Sequence, residues 1–166
     1  MSHSAAGGPE RPGRRGTSLG TALYSAAEWR LLARLPGRVM VVSATRRVAD
    51  PVAPGLAGLE GIAAGRASDS DLVRAVVAAV YAEAEVASET YAQVNTVDEV
   101  FAECARAVEV LAGRADPADS AAYRQWVQSV AARVCRAARP EPDDGGADPD
   151  DQRFLAQLGA ALGLCP

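Results

Sequence analysis

"DPADSAAYRQWVQSVAARVCRAAR", Asp116 to Arg139, is the stretch that decides the fold. Tyr123, Trp126, Val127, Val130 and Val134 recur at the three-and-four spacing that stacks side chains on one face of an α-helix. Asp116 offers an oxygen to the unbonded N–H groups of a first turn, and Pro117 suits the first helical position because its missing N–H has no partner there in any helix. The stretch therefore predicts the longest helix of the chain, with Trp126 buried among the valines.

The same grammar extends in both directions. Ser25 with Glu28, and Thr96 with Glu99, have the spacing of a capping box, and each precedes an apolar stripe: Trp29, Leu32 and Leu35 in one, Val100, Phe101, Cys104, Val108 and Leu111 in the other. Pro36 falls where it should break the first of these, so a corner is expected at Leu35-Pro36, with a new helix carrying Val39, Met40 and Val42. A short helix with Leu56, Leu59 and Ile62 on its apolar face follows. Ser68 or Ser70 then caps one built on Leu72, Val73, Val76, Val77, Val80 and Tyr81, and Asp148-Pro149 opens the last, with Phe154, Leu155, Leu158 and Leu162. No period-two run bounded by turn residues occurs. The expected fold is all-α, a compact bundle of about seven helices. Residues 1–24 read as a Gly, Pro and Arg-containing leader and 25–166 as one domain. Two similar halves are an expectation of the same pattern, which any helix-loop-helix pair in an Ala-rich chain would also imitate: a segment with Trp29 joined by a Gly/Pro link to Leu56–Ala64, and one with Tyr123 joined by an acidic link to Phe154–Leu162.

Composition closes off much chemistry. All 17 basic residues are arginine, so no Schiff-base or phosphate-loop lysine exists within the chain. The single histidine, His3, sits in the leader, which removes imidazole base catalysis and histidine-rich metal sites from the helical region. The three cysteines, Cys104, Cys135 and Cys165, lack a Cys-x-x-Cys pair; the first two lie on apolar faces and read as buried thiols, the third as exposed. A formal net charge of −4 with scattered arginines argues against nucleic acid as a partner. No apolar run approaches the roughly 20 residues of a membrane helix. A cytoplasmic protein is expected. Trp29, Trp126, Tyr24 and Tyr123 read as core anchors.

One segment raises a metal question. "EPDDGGADPDD", Glu141 to Asp151, holds six carboxylates and no basic residue. Asp148 as cap, Pro149 at the first position and two acids in the first turn account for its end without a ligand, as at Asp116 to Asp119. Ca2+ is the alternative, since Gly145 and Gly146 would let Asp143, Asp144 and Asp151 converge, although the alternating acids of an EF-hand loop are absent.

The Leu-Pro corner in "RLPGRVMVVSA" and the acidic helix start in "DGGADPDDQRFLAQL" resemble the duplicated all-helical architecture of the tellurite-resistance TerB-like proteins. The resemblance spans Ser25 to Gly163 and implies that Asp144, Asp148 and Asp151 would be the metal-binding positions. The matching first loop, Asp50 to Glu60, carries Val, Pro and Gly where acids would be needed.

Two functions fit this inventory. The first is a non-catalytic interaction or binding module, with an unknown protein or small-molecule partner and no cofactor. The alternative is a small-molecule binder or an acid-assisted cyclase or isomerase of specialised metabolism, using carboxylate, Tyr and Arg around an apolar cavity.

Overall fold

The computed structural model describes residues 22–46, 52–86, 96–138 and 148–164. These form six α-helices and one 3₁₀ turn, with no strand among them: α1 (Ala26–Thr45), α2 (Val52–Ala64), the turn Gly65–Ala67, α3 (Asp71–Val86), α4 (Val97–Arg114), α5 (Pro117–Ala137) and α6 (Pro149–Ala161). The all-α expectation holds. Helix α5 packs against each of the other five and is the bundle's central post. Its valines, Tyr123 and Cys135 are buried, and Trp126 is only 8% exposed.

The helix starts are those written in the sequence. Ser25 and Thr96 each accept a bond from the backbone N–H three residues on, while Glu28 and Glu99 accept from the cap's own N–H. The Ser25 N–H holds the Glu28 carboxyl below the usual carboxylate range, with Arg114 adding to the effect. Ser70, not Ser68, caps α3: its hydroxyl accepts from the Val73 N–H at 3.2 Å. Helix α6 closes on Gly163 at φ +63°, with Leu164 N–H donating to Gly159 and Gly163 N–H to Ala160, the paired bonds of a Schellman end.

Two expectations fail, each for a reason that lies in a distant residue. Pro36 does not open a new helix; it lies inside the continuous α1, which merges two expected helices into one. A mid-helix proline leaves the carbonyl four residues earlier without its N–H donor, here Leu32. The buried Tyr123 hydroxyl donates to that carbonyl at 2.8 Å. Burial pushes the Tyr123 phenol well above its ordinary range, so it stays protonated as the donor this bond requires.

The second failure concerns α2. Its expected face was Leu56, Leu59 and Ile62; only Ile62 is buried, and Leu56 and Leu59 are 57% and 49% exposed. The inward face is made of Pro54, Gly58 and Gly61 instead. A Cβ at Gly61 would stand 3.3 Å from Val130 Cα, and one at Gly65 would stand 2.8 Å from the Trp126 ring. Glycine lets α2 lie almost backbone-to-backbone on α5, where Trp126 Nε1 donates to the Gly61 carbonyl at 3.1 Å. Close approach outweighs the burial of two leucines.

Candidate functional site

Helices α3 and α5 begin side by side. Ser70 Oγ, already capping α3, donates at 2.6 Å to Oδ1 of Asp119 in the first turn of α5. Asp116 Oδ1 accepts from the Ala118 N–H at 2.8 Å. Two helix N-termini, each carrying about half a positive charge, thus open onto the same face and are answered by aspartates. The chain leading into α1 crosses this face and brings Tyr24 and Trp29, whose ring centroids lie 6.0 Å apart with the planes tilted by 38°.

Between these elements lies a cleft of about 480 Å³, walled by Tyr24, Trp29 and Leu72 and edged by Asp71, Asp116 and Asp119. Its size falls in the range of small-molecule sites, roughly 300–1,000 Å³. Arg74 also reaches it, but that guanidinium is engaged by the Asp71 carboxylate and the Ser68 carbonyl. Tyr24 and Trp29 are half-buried, and among the described residues neither the phenol O–H nor the indole N–H makes a hydrogen bond. Burial, with Asp119 and Glu28 nearby, raises the Tyr24 phenol above its ordinary value. Of the four aromatics expected as core anchors, Tyr123 and Trp126 are buried in the core, while Tyr24 and Trp29 are half-buried, pack against it and also wall the cleft. The sequence signal that separates the pairs is position, since Tyr24 precedes the first cap and Trp29 occupies the first turn after it.

The metal candidates are placed differently. Asp148 is the cap of α6, with Oδ1 accepting from the Asp150 N–H at 2.8 Å. Asp151 is 2% exposed and faces Arg46, the residue that ends α1, with Nη1 and Oδ1 3.6 Å apart. The Arg46 guanidinium also lies 4.1 Å over the Phe154 ring and donates to the Asp150 carbonyl at 3.3 Å. Asp143 and Asp144 lie outside the described residues. Among those described, no three His, Cys, Asp or Glu side chains are grouped to hold a metal ion. Arg46 went unnoticed in the sequence because nothing local marks it as the partner of an acid 105 positions away.

A shallower groove of about 200 Å³ runs along α1, lined by Arg30, Arg34, Arg38, Glu103 and Arg106. Ion pairs join α1 to its neighbours, Arg38 to Glu103 of α4 and Arg34 to Glu83 of α3 at 3.6 Å, while Arg106 reaches the same Glu103 within α4 at 3.7 Å. Cys104 and Cys135 are buried, and burial pushes the Cys104 thiol up to about 12, so it acts as a small apolar side chain. Cys165 lies outside the described residues. No helix among them is long and apolar enough to cross a membrane.

Comparison with known proteins returns no matching family model, curated protein or solved structure.

Proposed function

We propose that this chain is a non-catalytic binding protein and that the cleft between the start of α1, α3 and the α4–α5 corner seats a small ligand with an apolar body. The observation that carries the reading is the pair of unspent donors, Tyr24 Oη and Trp29 Nε1, on the walls of a half-open cavity. A half-buried polar group without a protein partner gains a bond when a ligand supplies one, and the aromatic faces supply area. Carboxylate, Tyr and Arg do converge here, as a cyclase or isomerase would need. Binding is preferred to catalysis because Arg74 is neutralised by Asp71, Asp116 is spent on a cap, and Tyr24 is moved away from the neutral range in which a proton donor works best.

A second reading, a protein-interaction module, draws on the exposed Leu56 and Leu59 on the outer face of α2. The TerB-like relationship is kept as a proposal too, supported by the acidic start of α6; its other motif, at Leu35-Pro36, falls within one continuous helix. The pair α1 and α2, of 20 and 13 residues, and the pair α5 and α6, of 21 and 13, with α3 and α4 between them, fit the proposed repeat of halves.

Fragment binding followed by NMR on the two indole N–H resonances separates the readings, because Trp29 lines the cleft and Trp126 is buried against Gly61. Small aromatic fragments should move the Trp29 resonance and leave Trp126 in place. Perturbation confined to α2 around Leu56 and Leu59 would overturn the cleft in favour of the interaction module.

A further inference from the structure

We propose that the groove along α1 is a second site, separate from the cleft, and that it binds a phosphoryl group, the dianionic head of a small phosphorylated molecule. Arg30, Arg34 and Arg38 stand four residues apart, so they stack along one face of α1 with a rise of about 6 Å between them. Trp29, which walls the cleft, falls on the opposite face of the same helix. Glu28 pairs with Arg114 near the start of α1, and Arg38 with Glu103 further along. These two pairs make α1 and α4 antiparallel neighbours and set Arg106 across from the turn between Arg34 and Arg38. Four guanidinium groups from two helices thus line one groove of about 200 Å³, in a chain whose formal net charge is −4.

Three of the four keep their donors unspent. Arg38 is hydrogen-bonded to Glu103, but Arg106 stands 3.7 Å from that carboxylate and Arg34 3.6 Å from Glu83, too far for a hydrogen bond. Arg30 has no carboxylate partner among the described residues. Glu103 and Glu83 offset two of the four positive charges, and the surplus matches a phosphate monoester, which carries about 1.5 to 2 negative charges at pH 7. Glu103 is 12% exposed against 64% for Arg106, so an incoming anion meets arginine before carboxylate. A guanidinium is less tightly hydrated than an ammonium and offers its N–H groups as a planar fork, which phosphoryl oxygens accept two at a time. Volume sets the size of what enters. The groove is smaller than the roughly 300 Å³ at which sites for whole small molecules begin, so it takes the head group and leaves the rest of the molecule outside.

Methyl phosphate and dimethyl phosphate differ by one methyl group and one charge. Titrated into the full chain at low salt and followed through the methyl resonances of Ala27 and Leu31, which also line the groove, methyl phosphate should bind roughly tenfold more tightly, the effect of one unit charge at close range in a half-solvated site. Malonate, a dianion without the tetrahedral head, should bind more weakly than methyl phosphate. Arg30→Gln and Arg106→Gln, which break no hydrogen bond of the fold, should each weaken methyl phosphate about fivefold, whereas Arg153→Gln, which removes the same charge from outside the groove, should change it less than about twofold. Inorganic phosphate reads the source of the group: binding as tight as that of methyl phosphate supports the free ion, and weaker binding supports an ester. Equal or tighter binding of dimethyl phosphate or malonate would overturn the phosphoryl assignment, and an equal loss in Arg153→Gln would reduce the groove to general charge attraction. Ala27 and Leu31 resonances that methyl phosphate leaves in place would overturn the site itself, whatever the fragments do at Trp29.

Discussion

Asp116-Pro117-Ala118-Asp119 and Asp148-Pro149-Asp150-Asp151 are the same device used twice, and in the fold they agree at the first residue and part at the last. Each leading aspartate caps its helix by accepting from the N–H two residues on, at 2.8 Å in both cases. Each proline takes the position where its lost N–H costs nothing. Yet Asp119 stands at the edge of the cleft bonded to a serine, whereas Asp151 is buried against Arg46 from the far end of α1. A cap is settled within four residues, and what a first-turn acid does next is settled by whichever helix lies opposite.

The largest effect that tests this contrast is expected at Asp151. Deleting one member of a buried ion pair leaves the other charge without compensation, and Asp151→Ala should lower stability by about 3 kcal/mol. Chemical denaturation of Asp151→Ala, Arg46→Ala and the double variant reads the coupling. If the double variant is no more damaged than either single one, the pair accounts for the loss. Independent, additive losses would show that Asp151 is held by something other than Arg46, and would erase the difference drawn between the two helix starts.

Pro36 extends the comparison to a third proline and shows where sequence reading stops. Pro117 and Pro149 follow aspartates that can cap; Pro36 follows Leu35, which cannot. The helix class, both capping boxes, both Asp-Pro starts and the α5 core face were legible because each depends on neighbours within a turn or two. The continuity of α1 was not, since it depends on a hydroxyl 91 positions away that satisfies the Leu32 carbonyl. The glycine face of α2 was hidden for a similar reason: hydrophobic periodicity assumes that apolar bulk turns inward, and it has no term for a backbone that needs to come close. In the cleft, the residue types of the alternative reading were named, but not the convergence of two helix starts that brings them together.

Tyr123→Phe should therefore cost about 2 kcal/mol, the penalty for a buried carbonyl left without a donor. The test is sharpened by Pro36→Ala, which restores an N–H opposite that carbonyl. In the Pro36→Ala background, Tyr123→Phe should cost only a few tenths of a kcal/mol. An equal loss in both backgrounds would mean that the hydroxyl acts elsewhere. A smaller loss is expected at the cleft: Ser70→Ala removes both a cap and the tie to Asp119, and should lower stability by about 1.5 kcal/mol, read as a shift of the denaturation midpoint.

The smallest effects bear on the part of the comparison where the two starts agree. Asp116→Ala and Asp148→Ala should each cost about 1 kcal/mol, and Asp→Asn at either position should cost far less, because asparagine caps as well as aspartate does. Equality is the point of the experiment. The two caps use the same atom, the same spacing and the same 2.8 Å bond, so an excess at Asp148 has a source beyond the capping bond. Melting each variant with and without Ca2+ separates the sources of such an excess. A cation held by Asp148 would stabilise the parent chain in proportion to the logarithm of free ion over its dissociation constant, and Asp148→Asn would abolish that gain while keeping the cap. With capping alone, Ca2+ moves neither midpoint and the Asp116 and Asp148 series superimpose.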